Sequence, residues 1–334
     1  MSTARLRLLF ISFSAICVLT GASLNVSAQK PKPSPTPLPA DPQGTVRIPV
    51  RRVRLPITVT DKKGNFVPGL AQNDFIVLED KVPQTIETFS DDTASLPIYV
   101  AVLLDTSPST AGKLKFQQES AMNFIQTVVK ARRDRVLFGT FDDQITLLQD
   151  FTDKLDLLDK AVSGVKNMGK QTALFDAVWQ FCDEKMRSVP GRRVLLLVTD
   201  GEDTYSRANI RDAIDIAQRT ETTIFAISTK AGFLATVPGV EAGQVADKKD
   251  RDLQTLAEET GGEAFFTGDM LALERAFNKI SRELRAQYLV TYDPTNKNYN
   301  GSFRKIEVKL AQGRGDLRVR TKRGYPAVAD NVMQ

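Results

Sequence analysis

The chain has 334 residues, 42% of them hydrophobic and 25% charged, the composition of a folded globular protein long enough for one large domain and one small one. It contains no histidine, which excludes Ser-His-Asp and Cys-His nucleophilic sites together with the usual histidine-bearing zinc sites. The formal net charge of +5 is uneven, with −3 in residues 96–285 and +5 in residues 286–334; a nucleic-acid binder, which would carry a basic stripe on its main domain, is not expected.

Residues 1–28 have the three parts of a secretory signal: Arg5 and Arg7, an uncharged apolar run over 8–24, and Val26-Ser27-Ala28 as a small-residue cleavage site. The small and hydroxyl residues Ser12, Ser14, Gly21 and Ser23 make the run a poor membrane span. The expectation is cleavage before Gln29, a periplasmic or extracellular address, and no stable membrane insertion afterwards. Of the two cysteines, Cys17 lies inside the apolar run, which leaves Cys182 without an internal partner; among the apolar positions of a helix it reads as a small core hydrophobe.

Residues 29–44 carry Pro31, Pro33, Pro35, Pro37, Pro39 and Pro42, a spacing that favours extended polyproline geometry and marks a linker. A β segment follows over 45–95. Apolar residues alternate from Val46 to Thr60 with a slip of phase at Arg51-Arg52. Asp61-Lys62-Lys63-Gly64-Asn65 and Pro68-Gly69 read as turns, and 75–79 and 85–89 as short strands.

From Leu96 the pattern becomes continuous apolar strands separated by helical periods, the signature of a sheet covered on both faces. The buried strands are expected at 98–104, 135–141, 194–198, 223–228 and 263–266. Amphipathic helices are expected at 113–131, 153–166, 174–187, 210–219, 252–259 and 271–284. After residue 285 the reading returns to β, with strands at 288–292, 303–310 and 317–321 and turns over 293–301 and 313–315. This C-terminal segment, 286–326, is expected to pair with 45–95 and to leave 327–334 as a tail. Its bases Arg304, Lys305, Lys309, Arg314, Arg318, Arg320, Lys322 and Arg323 alternate with apolar residues, so most should line a solvent face. The fold class expected is α/β: a doubly wound, mostly parallel, Rossmann-like sheet in 96–285, flanked by a small β domain built from N- and C-terminal segments.

Three motifs sit at the ends of predicted strands or in the loops beyond, where open parallel sheets collect ligands. Asp105-Thr106-Ser107-Pro108-Ser109 follows the first buried strand. Thr172 lies in Gly169-Lys170-Gln171-Thr172-Ala173-Leu174, opening a helix. Thr199-Asp200-Gly201-Glu202-Asp203 follows the strand at 194–198. Every candidate ligand is a hard oxygen donor, and two carboxylates with three hydroxyls suit Mg²⁺, with Mn²⁺ or Ca²⁺ as alternatives.

In order and strand context these segments resemble the metal-ion-dependent adhesion site of the von Willebrand factor type A family, and the flanking β segments resemble those of bacterial exported proteins that embed such a domain. The resemblance implies one divalent cation. Ser107, Ser109 and Thr172 would bind it through hydroxyls, Asp105 and Asp200 directly or through water, and an Asp or Glu carboxylate of a protein or peptide partner would take the open position. It implies an exported adhesion or protein-binding module and no enzyme. Three other accounts compete. The aspartates and serines would serve only as caps and turn formers; the protein would be a structural scaffold or assembly factor of the cell envelope; or Asp105 would be the nucleophile of an aspartyl phosphatase, against which Ser107 stands where a second aspartate is expected. Glu202 and Asp203 are read as solvated or capping rather than as ligands.

Overall fold

The computed structural model describes residues 52–91, 96–166, 169–229, 248–266, 270–311 and 316–328. The signal and linker readings, the strand before Arg51, the turn at 313–315 with Arg314, and the last residues of the expected tail lie outside that set.

A six-stranded sheet forms the centre. Its strands are β5 (Ile98–Asp105), β6 (Arg135–Phe141), β7 (Ile145–Thr152), β8 (Arg192–Thr199), β9 (Thr222–Ser228) and β10 (Ala264–Phe266), arranged in the order β10-β9-β8-β5-β6-β7. All neighbours are parallel except β6 and β7. The sequence Ile-Tyr-Val-Ala-Val-Leu-Leu-Asp of β5 explains its place at the middle, because both of its faces are covered. Val100, Val102 and Leu104 pack with Phe124 and Ile125 of α1 (Leu114–Val128), Leu158 and Val162 of α2 (Leu155–Ser163), and Phe277 and Ile280 of α6 (Met270–Ala286). Ala101 and Leu103 face α3 (Leu174–Gln180) and α4 (Ile210–Arg219), and Leu253 of α5 (Lys248–Glu259) closes the same layer. Phe124 meets Phe277 edge to face at 5.4 Å, and burial of such a side chain contributes roughly 1.5–3 kcal/mol. Among the described residues no helix is long and apolar enough to cross a membrane.

Two antiparallel sheets complete the described chain. In one, β1 (Val53–Thr60) lies between β11 (Tyr288–Tyr292) and β13 (Arg318–Arg320), with β4 (Ile86–Ser90) beyond β11. In the other, β12 (Asn300–Leu310) lies between β14 (Gly324–Val328) and β2 (Phe75–Glu79), with β3 (Val82–Gln84) at the edge. N- and C-terminal segments alternate in the first sheet and meet at the β12–β2 pairing in the second, and the inward residues of both share one core around Leu55, Ile57, Val77, Tyr288, Val290 and Ile306.

Several elements differ from the sequence expectation. β7 has no counterpart there because an edge strand buries little: Leu147 and Leu148 stay exposed, so it shows no continuous apolar run. β14 extends through Val328, into the stretch expected as tail, and is held by pairing with β12 rather than by a periodic pattern of its own. The strand expected at 85–89 is present as β4, whereas β3, immediately before it and in the other sheet, was not expected. The helix expected over 174–187 changes to a π-helical turn at Phe181–Met186. Among the C-terminal bases, Lys305, Lys309, Arg318 and Arg323 are exposed as expected, but Arg304 and Lys322 are buried. Alternation could not find Arg304, whose guanidinium is drawn inward by Glu79 at 3.1 Å.

Candidate metal centre

The chain passes from β5 through α1 to β6 on one side of the sheet and later returns to β8 on the other side of β5. Beyond the carboxyl ends of strands at such a reversal, here β5 and β8, open α/β sheets bind ligands. Asp105 is the last residue of β5 and Asp200 follows the last residue of β8, so both carboxylates are delivered there by the register of the sheet.

Asp105 is 0% exposed. Its Oδ1 accepts the backbone N–H of Ser107 at 2.9 Å and its Oδ2 accepts the hydroxyl of Thr199 at 2.6 Å. Ser107 and Ser109 lie hydroxyl to hydroxyl at 3.0 Å. Thr110 secures the loop by donating to the carbonyls of Ser107 (2.7 Å) and Asp105 (3.2 Å). Asp200 is 7% exposed, and its Oδ1 accepts the Glu202 backbone N–H at 3.3 Å. Gly201 sits at φ +81°, and a Cβ there would lie 2.9 Å from Leu253; only glycine turns the chain this tightly against α5.

The Thr172 loop is tied to the first loop through the backbone and through Asp142. The Gly169 N–H donates to the Thr106 carbonyl at 3.0 Å and the Ala173 N–H to the Asp142 carbonyl at 2.8 Å, while the Thr106 hydroxyl donates to Asp142 Oδ2 at 2.7 Å. A Cβ at Gly169 would fall 2.2 Å from Asp142 Cγ, so the Thr172 loop lies against Asp142 only because Gly169 has no side chain. Thr172 itself is buried. Its N–H donates to the Thr204 hydroxyl oxygen at 3.0 Å, and its carbonyl accepts the N–H groups of Thr204 and Tyr205, both at 2.9 Å. The structure thus places Ser107 and Ser109 in direct contact, sets Asp105 against Ser107 and within electrostatic reach of Asp200, and bonds Thr172 to Thr204 and Tyr205 while its neighbour Gly169 bonds Thr106 of the first loop.

Burial pushes the Asp105 carboxyl up to about 6, against the lowering effect of its bonds from Ser107 and Thr199, and the charge of Asp200 adds to the rise. Neither aspartate has a Lys or Arg partner among the described residues. Among the described residues three or more Asp, Glu or Cys side chains do not gather in one metal-binding group, and the motif residues beside the two carboxylates, Ser107, Ser109 and Thr172, carry hydroxyls. Such a donor set fits a hard divalent cation that keeps part of its water, and a cation is the charge that a buried carboxylate of this kind lacks.

Two residues set aside as ligands have other work. Asp203 Oδ1 accepts the N–H groups of Leu174 (2.9 Å) and Phe175 (3.4 Å) at the start of α3, and Glu202 pairs with Lys249 at 2.7 Å. Sequence reasoning quoted Thr199 within the third motif without giving it a role and did not single out Asp142. Thr199 ends β8 and Asp142 follows the last residue of β6, and that position was the available signal.

Comparison with known proteins places the domain. The model of the von Willebrand factor type A domain matches residues 100–279. No curated protein sequence matches the chain. Among solved structures, an aerotolerance-related membrane protein from Bacteroides fragilis NCTC 9343, carrying multiple mutations to serines, is similar at 16% identity and a TM-score of 0.44, over 56% of this chain and 98% of that one. The conserved hypothetical protein BatB from Bacteroides thetaiotaomicron is similar at 14% identity and 0.43, over 56% and 98%. Proximal thread matrix protein 1 from the mussel byssus, in a form with a zinc-occupied MIDAS motif, is similar at 16% and 0.45, over 62% of this chain and 49% of that one. On the family match, which spans more than half of its length, this chain belongs to the von Willebrand factor type A domain family.

Proposed function

We propose that the protein is an exported binding module that recognises a carboxylate of a protein or peptide partner through one divalent cation, Mg²⁺ in the first instance, held by Asp105, Ser107, Ser109, Thr172 and Asp200. The observation that carries this reading is the fully buried Asp105 carboxylate beside Asp200 at the switch point of the sheet, bonded by N–H and hydroxyl donors but by no cationic side chain among the described residues. Asp105 and Asp200 would supply negative charge, and the serine and threonine hydroxyls neutral oxygens. When bound, the cation supplies an electrophilic position for an incoming carboxylate. The surrounding chain holds the loops in place: Thr110 and Asp142 tie the first and second loops, and Asp203 fixes the start of α3 behind them. No step of catalysis is part of the reading, since the sequence has no histidine to serve as base.

Calorimetry on the purified protein should show one Mg²⁺ or Mn²⁺ bound and the binding lost in Asp105→Ala; unchanged binding in that variant would sink the assignment. A stoichiometric acyl-phosphate on Asp105 would instead support the phosphatase account. Export is tested separately, by sequencing the N-terminus of the protein recovered from its native host, where cleavage before Gln29 is expected.

A further inference from the structure

A cleft of about 820 Å³, which none of the proposed cation ligands lines, opens between the β10 edge of the central sheet and the antiparallel strands β12 and β13. Its volume is that of a ligand site rather than a packing defect. Two strands that line it, β10 and β13, each end their sheets, so each presents one edge without a paired strand among the described residues. Free edges of this kind are completed by extended segments of other chains.

The charges of the cleft are unevenly spent. Glu263 accepts from Lys279 and, at 2.7 Å, from Arg320, and Arg320 also bonds Glu283. Glu283 in turn accepts the Thr58 hydroxyl at 3.0 Å. Glu258 pairs with Arg323 at 3.0 Å. Burial alone would raise the Glu263 carboxyl, but Arg320 and Lys279 hold it below its ordinary value. These acids are neutralised within the wall, and Glu307, which also lines the cleft, pairs with Lys309 at 3.3 Å. The side chains of Lys305 and Arg318 are exposed on the same walls, and no carboxylate among the described residues stands within ion-pair distance of either. The unmatched charge of the cleft is therefore positive, next to open strand edges.

We propose that this cleft is a second, cation-independent binding site, which takes an extended acidic peptide segment of a partner protein. Lys305 and Arg318 receive its carboxylates, and an open edge of β10 or β13 receives its main chain. The site shares no residue with the loops around Asp105, so it stands or falls independently of the cation reading.

The probe is a short fluorescein-labelled peptide of alternating Thr and Glu, titrated by anisotropy against the full-length protein in excess EDTA. Saturable binding is expected, unchanged in Asp105→Ala. In the pair Lys305→Glu and Arg318→Glu it should weaken by about tenfold or more, as expected when complementary charges are reversed. The milder pair Lys305→Gln and Arg318→Gln should move it in the same direction, which guards against loss of fold. A version of the probe N-methylated at alternate residues should also bind more weakly, because it cannot complete a strand edge. Absence of saturable binding, insensitivity to both pairs of substitutions, or equal binding of an alternating Thr and Lys peptide would overturn the proposal. Equal binding of the N-methylated probe, or stronger binding of an acidic polysaccharide, would overturn the strand-edge contact.

Discussion

Two buried carboxylates, Asp105 in the α/β domain and Glu79 in the β sheets, occupy opposite electrostatic situations. Glu79 is 2% exposed and completely answered: Arg304 donates to Oε1 at 3.1 Å, and the hydroxyls of Tyr292 and Tyr325 donate to Oε2 at 2.7 and 2.8 Å. Arg304 also donates to the carbonyls of Asn296 and Asn298, so one ionic cluster ties β2, β11, β12 and β14 together. Asp105 is as deeply buried, yet its partners are an N–H and a hydroxyl, and the nearby charge is a second carboxylate. A buried charge persists cheaply only when paired. The first arrangement is closed and structural, whereas the second leaves a charge that the proposed cation would answer.

The comparison is broken most severely by removing one partner of the closed cluster. Arg304→Ala should destabilise the protein by about 3–5 kcal/mol, the usual loss when a buried pair is left with one unanswered charge, and urea denaturation should read it. Asp105→Asn in cation-free buffer should leave the melting temperature unchanged or raised, since it removes a charge that lacked a partner. If both substitutions cost the same, the distinction between the two carboxylates fails.

Cation binding should give the next effect. At a free concentration a hundredfold above Kd, Mg²⁺ should stabilise the protein by about 2.7 kcal/mol, in thermal melts of the parent but not of Asp105→Ala. The same gain in both proteins would place the cation elsewhere.

The pH response sharpens the contrast. The Asp105 carboxyl is pushed up from 3.8 to about 6, so between those values the folded state binds more protons than the unfolded one. Without cation, this group makes stability fall as pH rises through that window. Cation affinity should run the other way, rising with pH through about 6 as the ligand ionises. Calorimetric titrations on both sides of that pH check the sign. The tyrosines of the closed cluster are raised by burial and by their bonds to Glu79, so their protonated forms support the fold below the ordinary tyrosine range and that support is lost at more alkaline pH.

The smallest effect concerns Cys182, which is fully buried and whose thiol burial pushes up to about 12. It should be inert to a thiol reagent in the native protein and react only on unfolding. Rapid labelling of the folded protein would show that α3 and its π-helical turn open readily.

The sequence by itself determined the alternation of buried strands and helices between residues 98 and 284, because a doubly covered parallel sheet writes continuous apolar runs into the chain. The placement of Asp105 and Asp200 at strand ends was legible for the same reason: each polar residue ends such a run. Tertiary structure alone decided features whose cause is distant in sequence. Thr199 reaches Asp105 only because β5 and β8 are neighbours. Arg304 turns inward only because Glu79 waits on a strand from the other end of the chain, and β14 is a strand only because β12 supplies its hydrogen bonds. Local pattern reports which side of an element is apolar; it carries no record of which partner will arrive to pair a backbone edge or answer a buried charge.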